Sequence, residues 1–145
     1  YEEKFEPELF VRYCEIAALM PVMQFSAAPW RLLKPEDYQK VLKAVEVRKK
    51  YLPQILEAVE CAKKMGEPIV SHMEYVFPGQ GMERVMDQFM IGNKLLAAPI
   101  NEKDVTAREV WIPKGKWKLG ELILESSGEK RVLEQKEGPM VLEKI

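Results

Sequence analysis

Cysteine is scarce in this 145-residue chain, occurring only as Cys14 and Cys61. Each lies inside a helical pattern with no Cys or His neighbour at metal-ligand spacing, so neither a disulfide framework nor a zinc site is supported. Buried, reduced thiols are expected instead. No apolar run reaches the ~18 residues that a membrane-spanning helix needs, so no membrane segment is expected in this chain. The opening YEEKFEPELF is acidic and lacks the basic and apolar regions of a signal peptide. It also lacks an initiating Met, which points to a start within a longer protein. An excess of one charge is missing too: 22 basic and 23 acidic residues, mixed along the chain, give a net charge of −1. That is not the electrostatic footprint of a nucleic-acid binder.

What is present reads as a folded domain, with 47% hydrophobic and 31% charged residues. Glu8–Leu19 places Leu9, Tyr13, Ile16 and Ala17 on one helical face, expected to be the buried one, with Pro7 at the start and Pro21 as the stop. PVMQFSAAPW follows as a short buried strand and a loop. From Pro35, acidic Glu36 and Asp37 open a helix with Tyr38, Val41, Leu42 and Val45 inward. Pro53 should break or kink it near Tyr51–Leu52. A second helix with Ile55, Ala58, Val59 and Ala62 inward closes at Lys63, Lys64 and Gly66.

Beyond Gly66 the texture becomes β-branched and aromatic. PIVSHMEYVF reads as a strand buried on both faces, and the helix–strand–loop order is that of parallel sheets and barrels. After Asn101 helical periodicity vanishes. REVWIP, GELILE, KRVLEQ and PMVLEKI, separated by KGK, SSGE and KEG, read as an antiparallel module of three to five short strands. Trp111 and Trp117 flank the PKGK turn and are expected to pack the module; the scattered methionines fit core filling. Two helical segments and a couple of strands cannot cover both faces of a parallel sheet, so a part of a larger architecture is expected.

ELFVRYCEIAALMPVMQFS, VRKKYLPQILEAVECAKKMGEPIV, DQFMIGNKLLAAPI and REVWIPKGKW follow one another in the order and spacing that resembles the C-terminal part of glycoside hydrolase family 31. The resemblance implies an α/β plus β fold. Residues 1–103 would be the C-terminal portion of a (β/α)8 barrel, and residues 104–145 a segment of the proximal C-terminal β-domain. It further implies retaining hydrolysis of α-glycosides by two carboxylates, both aspartates upstream of this region. The aspartates here, Asp37, Asp87 and Asp104, fit a helix N-terminus, a place beside the last barrel strand and a turn. No catalytic residue is therefore assigned, the chain alone is expected to be inactive, and no metal or organic cofactor is implied.

Loops at the C-terminal ends of barrel strands form such sites. Met23–Ser26 falls where many family members carry Arg-Asn-His-Ser, and resembles a branch in which some members act on α-galactosides. Gln24 and Ser26 are expected to hydrogen-bond sugar hydroxyls and Trp30 to stack on a sugar face, the alternative being that Phe25 and Trp30 pack the loop. His72 is a weaker substrate-binding candidate, since the family more often has Arg-Pro at Ser71-His72 and a lone His in an apolar strand is commonly a core residue. The implied partners are a carbohydrate substrate and the remainder of the barrel. The competing reading is a non-catalytic carbohydrate-binding or interaction module. Alone, the chain should expose the barrel-facing sides of PIVSHMEYVF and FMIGNKLLAAP.

Overall fold

Proline sets the helix starts in the computed structural model, which describes residues 5–145. Pro7, Pro29 and Pro35 each open a helix, where the missing N–H has no intrahelical partner to lose. The helices are α1 (Pro7–Ala17), α2 (Pro29–Leu32), α3 (Pro35–Met65) and α4 (Met73–Val76). The strands are β1 (Val70–His72), β2 (Phe89–Ile91), β3 (Leu95–Ala97), β4 (Ala107–Ile112), β5 (Gly115–Leu119), β6 (Leu122–Ser126), β7 (Glu129–Glu134) and β8 (Val141–Lys144). Six strands form an antiparallel sheet in the order β1-β2-β3-β8-β5-β6; β4 and β7 form a separate antiparallel ribbon. Among the described residues no helix is long and apolar enough to cross a membrane.

The central strands are covered on both faces, which explains their unbroken apolar runs. Met90, Leu96 and Leu142 point to one side, into a core shared with Val110, Ile112 and Leu133 of the ribbon, Met73 and Phe77 beside α4, and Trp117. Ile91, Leu95, Ala97 and Val141 point to the other, against Tyr51 and Ile55 of α3 and Leu19. A third cluster joins α1 to α3 through Val11, Cys14, Leu33 and Val41.

Several expectations are corrected. α1 buries Val11, Arg12, Cys14 and Glu15, while Leu9 and Tyr13 are exposed, Tyr13 by 67%. The charged pair can turn inward because each member is hydrogen-bonded there. Arg12 Nη1 donates to Glu15 at 3.1 Å and Nη2 to Val105 O at 2.9 Å, and Gly138 N–H donates to Glu15 at 3.0 Å. Residues 21–28 form no strand, and Val22 is 80% exposed. α3 runs unbroken through Pro53, since Tyr51 and Ile55 on either side are pinned against the sheet. In its first half Val41 and Ala44 are buried, whereas Leu42 is exposed.

PIVSHMEYVF is a three-residue strand paired antiparallel to β2, then a helical turn. His72 causes the switch, because its Nδ1 accepts the Glu74 N–H at 3.2 Å and so caps α4. Most of β2 and all of β3 expected to be bare are covered, with Met90, Ile91 and Leu95–Ala98 buried, as are Met73 and Phe77 after β1, whereas Val70, Ser71 and His72 of β1 stay half-buried. Part of KGK, read as a separator, is the start of β5. That strand is held by β6 and β8, with fully buried Trp117 donating from Nε1 to Pro113 O at 2.8 Å. Five strands follow residue 101, three of them in one sheet with β1–β3, and the Gly66 stop is left-handed with its N–H on Ala62 O. Cys14 is buried and Cys61 half-buried, both reduced. Burial, helped by the charge of Glu15, pushes the Cys14 thiol up to about 11, so it stays protonated.

Candidate functional site

The segment between α1 and α3 is suspended from two anchors. At the first, the last carbonyls of the α1 end have no intrahelical partner and present partial negative charge. Arg48 of α3 answers it, with Nη1 donating to Ala18 O at 2.9 Å and Met20 O at 2.5 Å, and Nη2 to Pro21 O at 3.1 Å. Leu19, within the same turn, is fully buried against Tyr51 and Ile55. At the second anchor, Pro29 is buried at the first position of α2, and Leu33 closes that helix with its N–H on Pro29 O. The Leu33 side chain enters the cluster of Val11, Cys14 and Val41.

Between the anchors the chain points outward. Gln24, Phe25 and Ser26 are exposed, and Trp30 is 63% exposed on the first turn of α2. A large indole held this open by a buried neighbouring proline is available to a planar or ring-shaped partner. Phe25 too is exposed, by 42%.

His72 stands elsewhere, at the end of the sheet's edge strand. Because Nδ1 accepts a backbone N–H, the neutral ring carries its proton on Nε2, the atom left to meet a ligand. Its neighbour Ser71 lines a groove of about 490 Å³ between the second half of α3, the β1–α4 turn and the β2–β3 hairpin. Gln54, Cys61, Tyr75 and Lys94 also line it, and Gln54 Oε1 is buried there without a hydrogen-bond partner among the described residues. None of Gln24, Ser26, Trp30 or His72 lines this groove. Sequence reading missed it because its walls come from segments up to 40 positions apart, 54 to 94, with no common motif.

Each aspartate is committed to local structure. Asp37 accepts from Lys40 at 2.8 Å in the first turn of α3. Asp87 pairs with Arg108, whose guanidinium also holds Asp87 O at 2.9 Å and Pro99 O at 2.7 Å, so it fastens the two ends of the β2–β3 hairpin. Asp104 sits in a left-handed turn at φ 59°, its N–H on Glu8 at 3.0 Å. The buried carboxylate, Glu15, is enclosed by Arg12 and Gly138. Two free carboxylates facing a common space, as glycoside hydrolysis needs, are not formed by these residues.

This helix layer over an antiparallel sheet defines a fold class found inside much larger chains. An uncharacterized protein from Listeria monocytogenes matches it with a TM-score of 0.89 and 23% identity, over 99% of this chain and 15% of its own. The glucosidase II alpha subunit matches with a TM-score of 0.84 and 24% identity, over 95% of this chain and 16% of its own. At those identities the likeness is one of fold. In sequence, residues 66–134 match the glycosyl hydrolase family 31 C-terminal domain. The myogenesis-regulating glycosidase of Mus musculus is 38% identical over 115 residues, 78% of this chain and 16% of that protein. An alpha-glucosidase of Saccharolobus solfataricus is 33% identical over 117 residues, 76% of this chain and 17% of that protein. The chain belongs to glycosyl hydrolase family 31, and it spans about a sixth of the length of these relatives.

Proposed function

We propose that this chain is the C-terminal part of a retaining α-glycosidase, the end of its barrel with the start of its proximal β-domain; because β3 is hydrogen-bonded to β8 in one sheet, we set the boundary ahead of β1 and not at residue 103. The observation that carries the reading is that relatives named as glycosidases align with about three-quarters of this chain, while the chain amounts to a sixth of their length. The catalytic carboxylates then come from the remainder of the barrel, and the isolated chain is inactive. The exposed Leu9 and Tyr13 of α1 support a place within a larger whole. Helical periodicity makes that face apolar, yet Leu9 is 39% and Tyr13 67% exposed.

The chain's own contribution is substrate contact. The 22–30 segment presents Gln24 and Ser26 as hydrogen-bonding groups and Trp30 as a stacking surface. His72 offers Nε2–H from the edge strand as a second, independent contact. The substrate class is an α-glycoside, bound through hydroxyls and a ring face and needing no cofactor.

Two measurements test this. The natural polypeptide containing PMVLEKI should be several times heavier than 16.8 kDa and should cleave an aryl α-glycoside. A species of 16.8 kDa would remove the catalytic reading in favour of a binding module. In the intact protein, Trp30→Ala should weaken kcat/KM about two- to tenfold, as expected for a lost stacking contact of roughly 0.5–1.5 kcal/mol. Unchanged kcat/KM and sugar affinity would remove Trp30 from the site.

A further inference from the structure

The structure assigns Arg48 a positioning role: it sets where the 22–30 segment stands, and so how tightly sugar is held. This rests on the proposal that the segment meets substrate. Residues 20–28 contain no fully buried side chain, and Val22 and Gln24–Ala27 are exposed, so the segment is only weakly held from within. Its placement is inherited from the two anchors.

The second anchor is apolar, through Leu33. The first depends on one guanidinium reaching Ala18 O, Met20 O and Pro21 O. These carbonyls span the exit of α1 and the first residue of the segment. A planar fork with donors on separate nitrogens meets three such acceptors together, whereas an ammonium has only a single nitrogen from which to reach them. Arg48 is half-buried, and among the described residues it forms no ion pair with a carboxylate. Its guanidinium hydrogen bonds go to the three carbonyls of this chain exit. α3 therefore does more than cover the sheet: through Arg48 and the Leu19–Tyr51–Ile55 contact it orients Gln24 and Ser26.

The test uses the intact protein with Arg48→Lys and Arg48→Met, and the p-nitrophenyl α-glucoside, α-galactoside or α-xyloside that the unaltered protein cleaves. The expected result for Arg48→Met is a KM raised about tenfold with kcat changed less than about threefold, and for Arg48→Lys a smaller rise in the same direction. A role as helix cap alone would lower the melting temperature and leave KM per folded enzyme unchanged; that result overturns the inference. If Arg48→Met does not fold, KM of Arg48→Lys decides. If the unaltered protein cleaves none of the glycosides, the functional reading fails separately. The tether is then read by hydrogen exchange, which should quicken in residues 22–28 of Arg48→Lys while α3 keeps its protection. Equal exchange in the segment overturns the tether.

Discussion

Replacing Arg12 by Met should destabilise the chain by about 3–5 kcal/mol at neutral pH, the range for removing one partner of a buried ion pair. The structure places this site at the upper end of what a single surface-element residue can cost. Arg12 is 8% and Glu15 4% exposed, and the pair joins α1 to two distant loops through Val105 O and Gly138 N–H. Met fills similar space but leaves the Glu15 carboxylate buried with the Gly138 N–H alone.

The pH dependence discriminates this account from simple loss of packing. Burial already raises the Glu15 carboxyl above its ordinary value, and the Arg12 hydrogen bond and charge, with Gly138 N–H, pull it back only in part. Without Arg12 it should climb further. A carboxyl with a folded pKa above its unfolded one takes up a proton on folding, so stability is fullest below the unfolded value and falls as pH rises through the folded value. The Arg12→Met deficit should therefore be largest at neutral pH and shrink on acidification toward the ordinary carboxylate value of 4.5. Arg12→Met combined with Glu15→Gln should recover most of the loss at neutral pH, since the amide oxygen still accepts from Gly138. Urea unfolding of the 145-residue chain, followed by the fluorescence of fully buried Trp117, measures both. A deficit below about 1 kcal/mol at neutral pH, or one that grows on acidification, would refute the reasoning.

Gly92→Ala should cost about 1–2 kcal/mol or more, because φ is +55° and the new Cβ would stand 3.3 Å from Ala58 Cβ; a melting temperature equal to that of the unaltered chain would contradict it. Leu96→Ala, in the fully buried centre of the sheet, should lose about 2–5 kcal/mol, against about 0.5 or less for Val132→Ala at 74% exposure. Similar urea midpoints for the two would show the core to be misplaced. Leu9→Ser with Tyr13→Ser should reduce self-association of the isolated chain in sedimentation without lowering its melting temperature, and should destabilise the intact protein. Unaltered association would count against the outer face of α1 as a contact surface.

Local chemistry made much of this protein legible in its sequence. Proline at the starts of α1 and α3, the Gly66 stop and most strands of the C-terminal half depend on backbone constraints that act within a few residues; the short α2, opened by Pro29, lies in what the sequence reads as loop. The family blocks were equally legible, and so were the local duties of the aspartates. Tertiary structure decided what periodicity leaves open. Leu9 and Tyr13 lie on a face as apolar as any, yet α1 turned Arg12 and Glu15 inward because Val105 O and Gly138 N–H, more than 90 positions away, satisfy them. Pro53 stayed inside a helix because contacts on both sides outweigh one absent N–H. The two-faced burial of β2 and β3 came from the return of β8, the ribbon and α3, not from a parallel sheet. At the candidate site, the family resemblance named Gln24, Ser26, Trp30 and His72. Their separation into a tethered segment and a strand end, and the part of Arg48 in it, arise from carbonyls and guanidinium that only folding brings together.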